Sequence, residues 1–285
     1  MSESKFKVLL KILKQSVKNP RSLGRVFLQS FKWKEWMNYI IKNYGLNMGL
    51  PVIDLLDLFP QFEETVNPYS FLEGASNITD LALLRALARK YKSKNNKYRY
   101  LEIGTWRGES VANLSPICDE CVSIDLSEEE LKQLGVSDEF FENLRFFSKN
   151  LENITHINQN SQTFDFSTIG KFDLIFIDGN HSYNTVKIDT QNAFKILNEP
   201  HSIIVWHDYL ETSGRSIIEH IRWEVLAGIL DGCPPQKRNN IYHISNTLCA
   251  IYIPFGDFKT KEITFFQLPN KNFKIELSAI KIGNQ

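Results

Sequence analysis

From residue 98 onward the chain alternates short apolar runs with longer stretches in which apolar residues recur every three or four positions. YRYLEI (98–103), CVSID (121–125), FDLIFID (172–178) and SIIVWHD (202–208) are runs of the first kind. Such continuous runs suit strands covered on both faces. THINQ (155–159) is a fifth, less apolar candidate. Helical patterns fall between them, at about 108–116, 128–134 and 183–197, and again in SIIEHIRWEVLAGIL (216–230). Strand and helix in alternation predict a doubly wound parallel sheet. NIYHI (240–244) and NTLCAIYIP (246–254) are two apolar segments joined tightly, which makes them an antiparallel pair and brings the count to seven strands. KEITFFQL and FKIELSAIKI predict one more hairpin at the C-terminal end.

The first 90 residues follow a different pattern. In KFKVLLKILKQSVK (5–18), Phe6, Leu9, Leu10, Leu13 and Val17 share one helical face, and Lys7, Lys11, Lys14 and Lys18 the other. Asn19-Pro20 ends that helix. A second helical pattern over about 21–43 holds Phe27, Phe31, Trp33, Trp36 and Tyr39. Three readings stay open: a helical cap on the main domain, a homodimer contact, or peripheral contact with an anionic membrane surface. Residues 51–75 read as a connector. A helix from Asn77 or Thr79 to about Tyr91 buries Leu81, Leu83, Leu84 and Leu87. The expected division is an extension over 1–90, a main domain over 91–255 and a hairpin over 256–285.

Composition narrows the class. Of the 285 residues 42% are hydrophobic and 23% charged, as in a globular protein with a real core. No apolar run reaches the roughly 20 residues that span a bilayer, and the N-terminus lacks a signal-peptide pattern, so a cytoplasmic location is expected, with the basic helix at the inner membrane face as a variant. Four cysteines are too few for a disulfide scaffold. Cys118 and Cys121 form a C-x-x-C without the second pair a zinc site needs. The net charge of zero hides a polarity: residues 1–50 hold ten Lys/Arg against two Asp/Glu, and the rest 23 against 31. An acidic catalytic half opposes phosphate binding, so no nucleic-acid partner is expected.

YLEIGTWRGES (100–110) is a strand running into a glycine turn and a helix. Ligands of doubly wound sheets sit at such strand ends. A dinucleotide fingerprint needs glycine at the first, third and sixth positions. Counted from Gly104, the third is Trp106 and the sixth Glu109. A tryptophan blocks the approach of a pyrophosphate and a carboxylate repels it. The remaining pattern, Glu102, Gly104 and Gly108, suits a nucleoside cofactor without phosphates. S-adenosylmethionine is one, and its positive excess is attracted by a carboxylate such as Glu102. Asp125 ends the next strand, 21 residues after Gly104, where an acid accepts hydrogen bonds from ribose hydroxyls.

YLEIGTWRGES, VSIDLS, NSQTFDF, DLIFIDGNHSYNTVKIDTQNAFKIL (173–197) and IIVWHDY (203–209) together resemble class I S-adenosylmethionine-dependent methyltransferases. The nearest resemblance is to methyltransferase family 24, which includes macrocin O-methyltransferases and cephalosporin-hydroxylase-like proteins. It covers about 98–254, and I-D-G-x-H-S-Y is its most specific part. The resemblance implies an α/β, seven-stranded Rossmann-like sheet with an N-terminal helical extension. It implies cofactor contacts from Glu102, Gly104, Thr105, Gly108, Asp125, Asn160, Ser161 and Asp178. Asn160 departs from the family, which usually has Asp there.

Transfer of a methyl group to a hydroxyl needs a general base, or a metal that lowers the hydroxyl pKa. His181 is the first candidate base and His207 the second, since an unperturbed imidazole titrates near neutrality; Asp178 stands beside them as a catalytic acid residue. Relatives that use Mg²⁺ place an Asp after the fourth strand and an acidic pair after the fifth. Asp178 and Asp208 match, with His207 as the other member of the pair. Asp189 matches a family acid, but its helical position predicts a surface charge. Tyr183 lines an acceptor site or packs. The function expected is O-methylation of a small-molecule acceptor, a sugar of a glycan or glycosylated metabolite. N-methylation and a non-catalytic cofactor-binding module are the alternatives.

Overall fold

The structure is a computed structural model that describes residues 20–67, 76–94, 96–211, 217–262 and 274, and of residues 20–31 the backbone alone. The amphipathic helix expected at 5–18 and nearly all of the C-terminal hairpin lie outside the described residues. The chain forms two compact units, residues 1–47 and 48–285. The described part of the first is one long helix, α1 (Pro20–Tyr44), which ends as Gly45 takes a left-handed conformation. No helix among the described residues is long and apolar enough to cross a membrane.

The second unit is built on one sheet. Its strands in chain order are β1 (Val52–Ile53), β2 (Arg99–Ile103), β3 (Glu120–Asp125), β4 (Ile154–Asn158), β5 (Leu174–Ile177), β6 (Ile203–Trp206), β7 (Ile241–Ile244), β8 (Ala250–Tyr252) and β9 (Thr260–Lys261). Across the sheet they run β4-β3-β2-β5-β6-β8-β7-β1-β9. β4, β3, β2, β5 and β6 are mutually parallel. β8 is antiparallel to both β6 and β7, pairing Tyr242 with Ile251, as the tight connection required. The described residues thus form a nine-stranded sheet rather than the seven strands expected. β1 joins β7 in parallel, and β9 pairs antiparallel with β1 at the edge of the described sheet. At two residues each, they carry too little pattern to be read from sequence.

The helices of this unit are α2 (Leu55–Leu58), α3 (Ile78–Tyr91), α4 (Glu109–Leu114), α5 (Glu128–Gln133), α6 (Asp138–Asn143), α7 (Tyr183–Lys195), α8 (Ile217–His220) and α9 (Trp223–Gly232). α6 was not expected, and the single helix expected at 216–230 is broken at Ile221–Arg222 into α8 and α9. The central strands β5 and β6 are buried along their whole length. Each such fully buried aliphatic or aromatic side chain contributes about 1.5–3 kcal/mol. That rigid floor carries the site. The first residue beyond each central strand still belongs to the backbone ladder: Gly104 N donates to Ile124 O (2.9 Å), Asp178 N to Ile103 O (2.8 Å) and His207 N to Ile177 O (3.0 Å).

Candidate active site

The glycine turn is shaped by close approach. Gly104 has φ +89°, and a Cβ there would collide with the carbonyl oxygen of Asp178, so only glycine lets the loops after β2 and β5 touch. Trp106 takes φ +42°, a left-handed conformation that is costly for a non-glycine residue. Asp125 holds it there: its Oδ2 accepts from the backbone N–H of Thr105 (3.1 Å) and of Trp106 (3.2 Å), and its Oδ1 from Leu126 N–H (2.8 Å). The Trp106 ring stacks on Phe140 at 6.3 Å, with 17° between planes, and the Arg107 guanidinium lies 4.0 Å from the ring centre.

These loops wall a cavity of about 750 Å³ at the C-terminal ends of the strands. Among the described residues its lining holds five carboxylates, Glu109, Asp125, Asp178, Asp189 and Asp208, and no Lys or Arg. Such a lining repels a pyrophosphate and attracts a ligand with excess positive charge. Ile103, Ile124, Leu126, Leu134 and Phe140 supply its apolar surface. Among the residues expected to touch a cofactor, Gly104, Thr105, Asp125, Asn160, Ser161 and Asp178 line the cavity.

Two of the expected contacts do not. Glu102 is 0% exposed, and its Oε2 accepts from the Tyr100 hydroxyl (2.8 Å) beneath the loop. Burial pushes its pKa up to about 8, against the pull of the Ser110 and Tyr100 hydroxyls, so it is mostly uncharged at neutral pH. Gly108, with φ +82°, starts α4; a Cβ there would collide with Ser148 Oγ, so its role is the turn. Asp189 differs from expectation in the other direction. It is 1% exposed and lines the cavity, where burial pushes its pKa up to about 6. Tyr183 packs instead of lining: its hydroxyl donates to Asp231 (2.6 Å).

At one end of the cavity Asp178, His181, His207 and Asp208 meet. His181 Nε2 lies 3.1 Å from Asp208 Oδ2, and its side chain is 42% exposed. Burial lowers its pKa more than Asp208 raises it, so the ring is neutral at pH 7. Arg222 Nη1 lies 3.7 Å from the same Asp208 oxygen. His207 is 9% exposed, with Nδ1 at 3.1 Å from Asp178 Oδ1 and 3.5 Å from Asp208 Oδ2. Its Nε2 faces Asp80 Oδ2 at 3.1 Å. Burial lowers the His207 pKa, but Asp178, Asp208 and Asp80 outweigh it and hold it well above the ordinary value.

Asp178, His207 and Asp208 also offer one oxygen, one nitrogen and one oxygen within 4.8 Å of one another, a set that could hold a metal ion. Asp208 has φ +55°, which aims its carboxylate back toward the histidine. The expected Mg²⁺ prefers oxygen ligands throughout. An imidazole in the set suits a borderline ion such as Fe²⁺ or Zn²⁺, and Mn²⁺, though hard, takes it more readily than Mg²⁺ does.

Asp80, in the first turn of α3, was missed because an acid there reads as an ordinary complement to the helix dipole. Its partners are 127 and 168 positions away, which no local pattern reveals.

Residues 101–209 match a family model described as a methyltransferase domain. No curated protein matches the chain. Three solved structures are similar to it in part. The N-methyltransferase NodS from Bradyrhizobium japonicum WM9, solved with S-adenosyl-L-homocysteine, is 20% identical over 46% of this chain and 62% of its own, with a TM-score of 0.34. The amino pentose methyltransferase CalS10 from Micromonospora echinaspora, solved with S-adenosylmethionine, is 12% identical over 45% and 48%, with a TM-score of 0.32. DesVI of Streptomyces venezuelae is 13% identical over 45% and 49%, with a TM-score of 0.33. The chain spans between 48% and 62% of the length of these three structures. The segment that matches the methyltransferase-domain model is the one that carries the glycine turn, Asp125 and the Asp178–Asp208 cluster.

Proposed function

We propose that this protein is an O-methyltransferase that moves the methyl group of S-adenosylmethionine to a hydroxyl of a small molecule, a sugar within a glycan or glycosylated metabolite. One observation carries the transfer reading: a phosphate-repelling cavity with a neutral, partly exposed imidazole, His181, oriented by Asp208 at its wall. The sugar acceptor rests on the resemblance of IDGNHSY to macrocin O-methyltransferases.

When bound, S-adenosylmethionine supplies a methyl group on a sulfonium leaving group. The chain supplies position and deprotonation. Asp125 keeps the glycine turn rigid and retains lone pairs for ribose hydroxyls. The Asp208 charge, 3.1 Å from His181 Nε2, favours a hydrogen on that nitrogen, which would leave Nδ1 as the lone pair that takes the acceptor's proton. The bound cofactor would supply both the methyl carbon that the acceptor oxygen takes and the thioether that leaves with the electron pair. A divalent cation held by Asp178, His207 and Asp208 would lower the pKa of a coordinated hydroxyl.

Calorimetric titration of the full chain with S-adenosylhomocysteine tests the cofactor. Binding in the micromolar range is expected, and none for NAD⁺. Transfer of a radiolabelled methyl group to sugar acceptors then tests the reaction. Binding without transfer to any hydroxyl acceptor leaves the binding-module reading, and a labelled amine product selects N-methylation.

A further inference from the structure

His207 has its two ring nitrogens in contrasting surroundings. Nε2 faces Asp80, a carboxylate that is 0% exposed. Asp80 Oδ1 is already occupied by the backbone N–H of Leu248 (2.9 Å), so its Oδ2 is left for the imidazole (3.1 Å). A carboxylate only accepts, and so Nε2 carries a hydrogen. Nδ1 is buried and turned toward Asp178 and Asp208, yet it has no hydrogen-bond partner: the contacts at 3.1 and 3.5 Å lack the alignment of a hydrogen bond. Two carboxylate oxygens converge on that nitrogen, so a positive charge belongs among them, either a second ring proton or a metal ion. The misalignment and the mutual spacing of the three atoms within 4.8 Å favour the ion.

We propose that Asp80 is a positioning residue that fixes His207 as the Nε2–H tautomer, so that Nδ1 becomes the nitrogen ligand of a divalent ion shared with Asp178 and Asp208, and that this nitrogen makes the site select Mn²⁺ over Mg²⁺. A metal-ligating histidine whose other nitrogen is held by a carboxylate is a general device for fixing ring orientation and raising ligand basicity. Asp80 lies on α3, outside the segment that matches the methyltransferase model. The preference follows from ligand type: a hard Mg²⁺ takes oxygen and keeps its waters, whereas Mn²⁺ accepts imidazole more readily. The use of this ion in methyl transfer rests on the proposed function; the ion's binding does not.

The test uses the full chain and the metals alone. Mn²⁺ binding is followed by the electron paramagnetic resonance of the free ion, with Mg²⁺ as competitor. Protein labelled with ¹⁵N-histidine is examined with and without Zn²⁺, His207 being assigned by its loss in His207→Gln. The expected result is Mn²⁺ binding that equimolar Mg²⁺ does not displace. Asp80→Asn is expected to weaken Mn²⁺ roughly 10- to 100-fold, because its amide donates to Nε2 and turns the ring to the Nδ1–H tautomer. Its affinity for S-adenosylhomocysteine and its melting profile should stay near those of the unaltered chain. The nitrogen spectra should show Nε2–H, with Nδ1 shifted by Zn²⁺. Unchanged Mn²⁺ affinity in Asp80→Asn, a proton retained on Nδ1 at saturating Zn²⁺, or displacement by equimolar Mg²⁺ each overturns the proposal. Should Asp80→Asn fail to fold, the nitrogen spectra of the unaltered chain decide alone. S-adenosylhomocysteine titrated into the same samples keeps the two readings apart: binding of it without metal sinks only this inference, and metal without it sinks only the methyltransferase reading.

Discussion

His181 Nε2 stands 3.1 Å from Asp208 Oδ2, on the open side of a cluster whose other histidine is almost wholly buried. The pair has the form of a base and its orienting acid. Burial holds the His181 pKa below 6.5, and only the neutral ring accepts a proton. The transfer rate should therefore be level at neutral pH and fall as pH drops through the His181 pKa. His181→Asn should lower kcat by roughly 10²–10⁴ and remove that acid limb, with cofactor affinity retained. A pH–rate profile checks both, and an unaltered rate in the variant rules His181 out as the base.

Gly104→Ala should abolish cofactor binding. The added methyl meets the Asp178 carbonyl, and the backbone is held at φ +89°, so the loops after β2 and β5 have to part. Calorimetry with S-adenosylhomocysteine reads the loss. Full affinity in the variant means that the turn is not the cofactor's cradle.

Glu102→Gln should leave cofactor affinity within about twofold, since the carboxyl is mostly neutral at pH 7, bonded to Tyr100 and out of the cavity. A tenfold or greater loss by titration at pH 7 restores Glu102 as a direct or electrostatic contact.

Asp189 makes stability depend on pH. Its folded pKa of about 6 exceeds the ordinary 3.8, so between those values the native state binds more protons than the unfolded one. Stability therefore falls as pH rises from about 4 to 6 and is level above. The difference corresponds to about 3 kcal/mol at most. Asp189→Asn should raise the melting temperature at pH 8 and leave it little changed at pH 4. Equal melting shifts at the two values exclude this origin.

The sheet was legible because strands buried on both faces write themselves as unbroken apolar runs, FDLIFID and SIIVWHD above all. Their ends brought Gly104, Asp125, Asp178, His207 and Asp208 to one rim, which the parallel registers require. Asp189 was misread because a lone acid on a polar helix looks solvated, and what buries it comes from other parts of the chain. β1 and β9 were illegible for want of length. Glu102 was expected at the cavity wall for a related reason: the sequence places it near a strand end, but not on which face of the strand its carboxyl lies.

Asp80 joins residues that are far apart along the chain, reaching His207 across 127 positions and Leu248 across 168. Closing links of that span costs chain entropy, which structure already in place between their ends reduces. The parallel strands from β2 to β6 can assemble without them. Orientation of His207 through Asp80 waits until both α3 and the β7–β8 hairpin have docked, so it appears only in the finished fold.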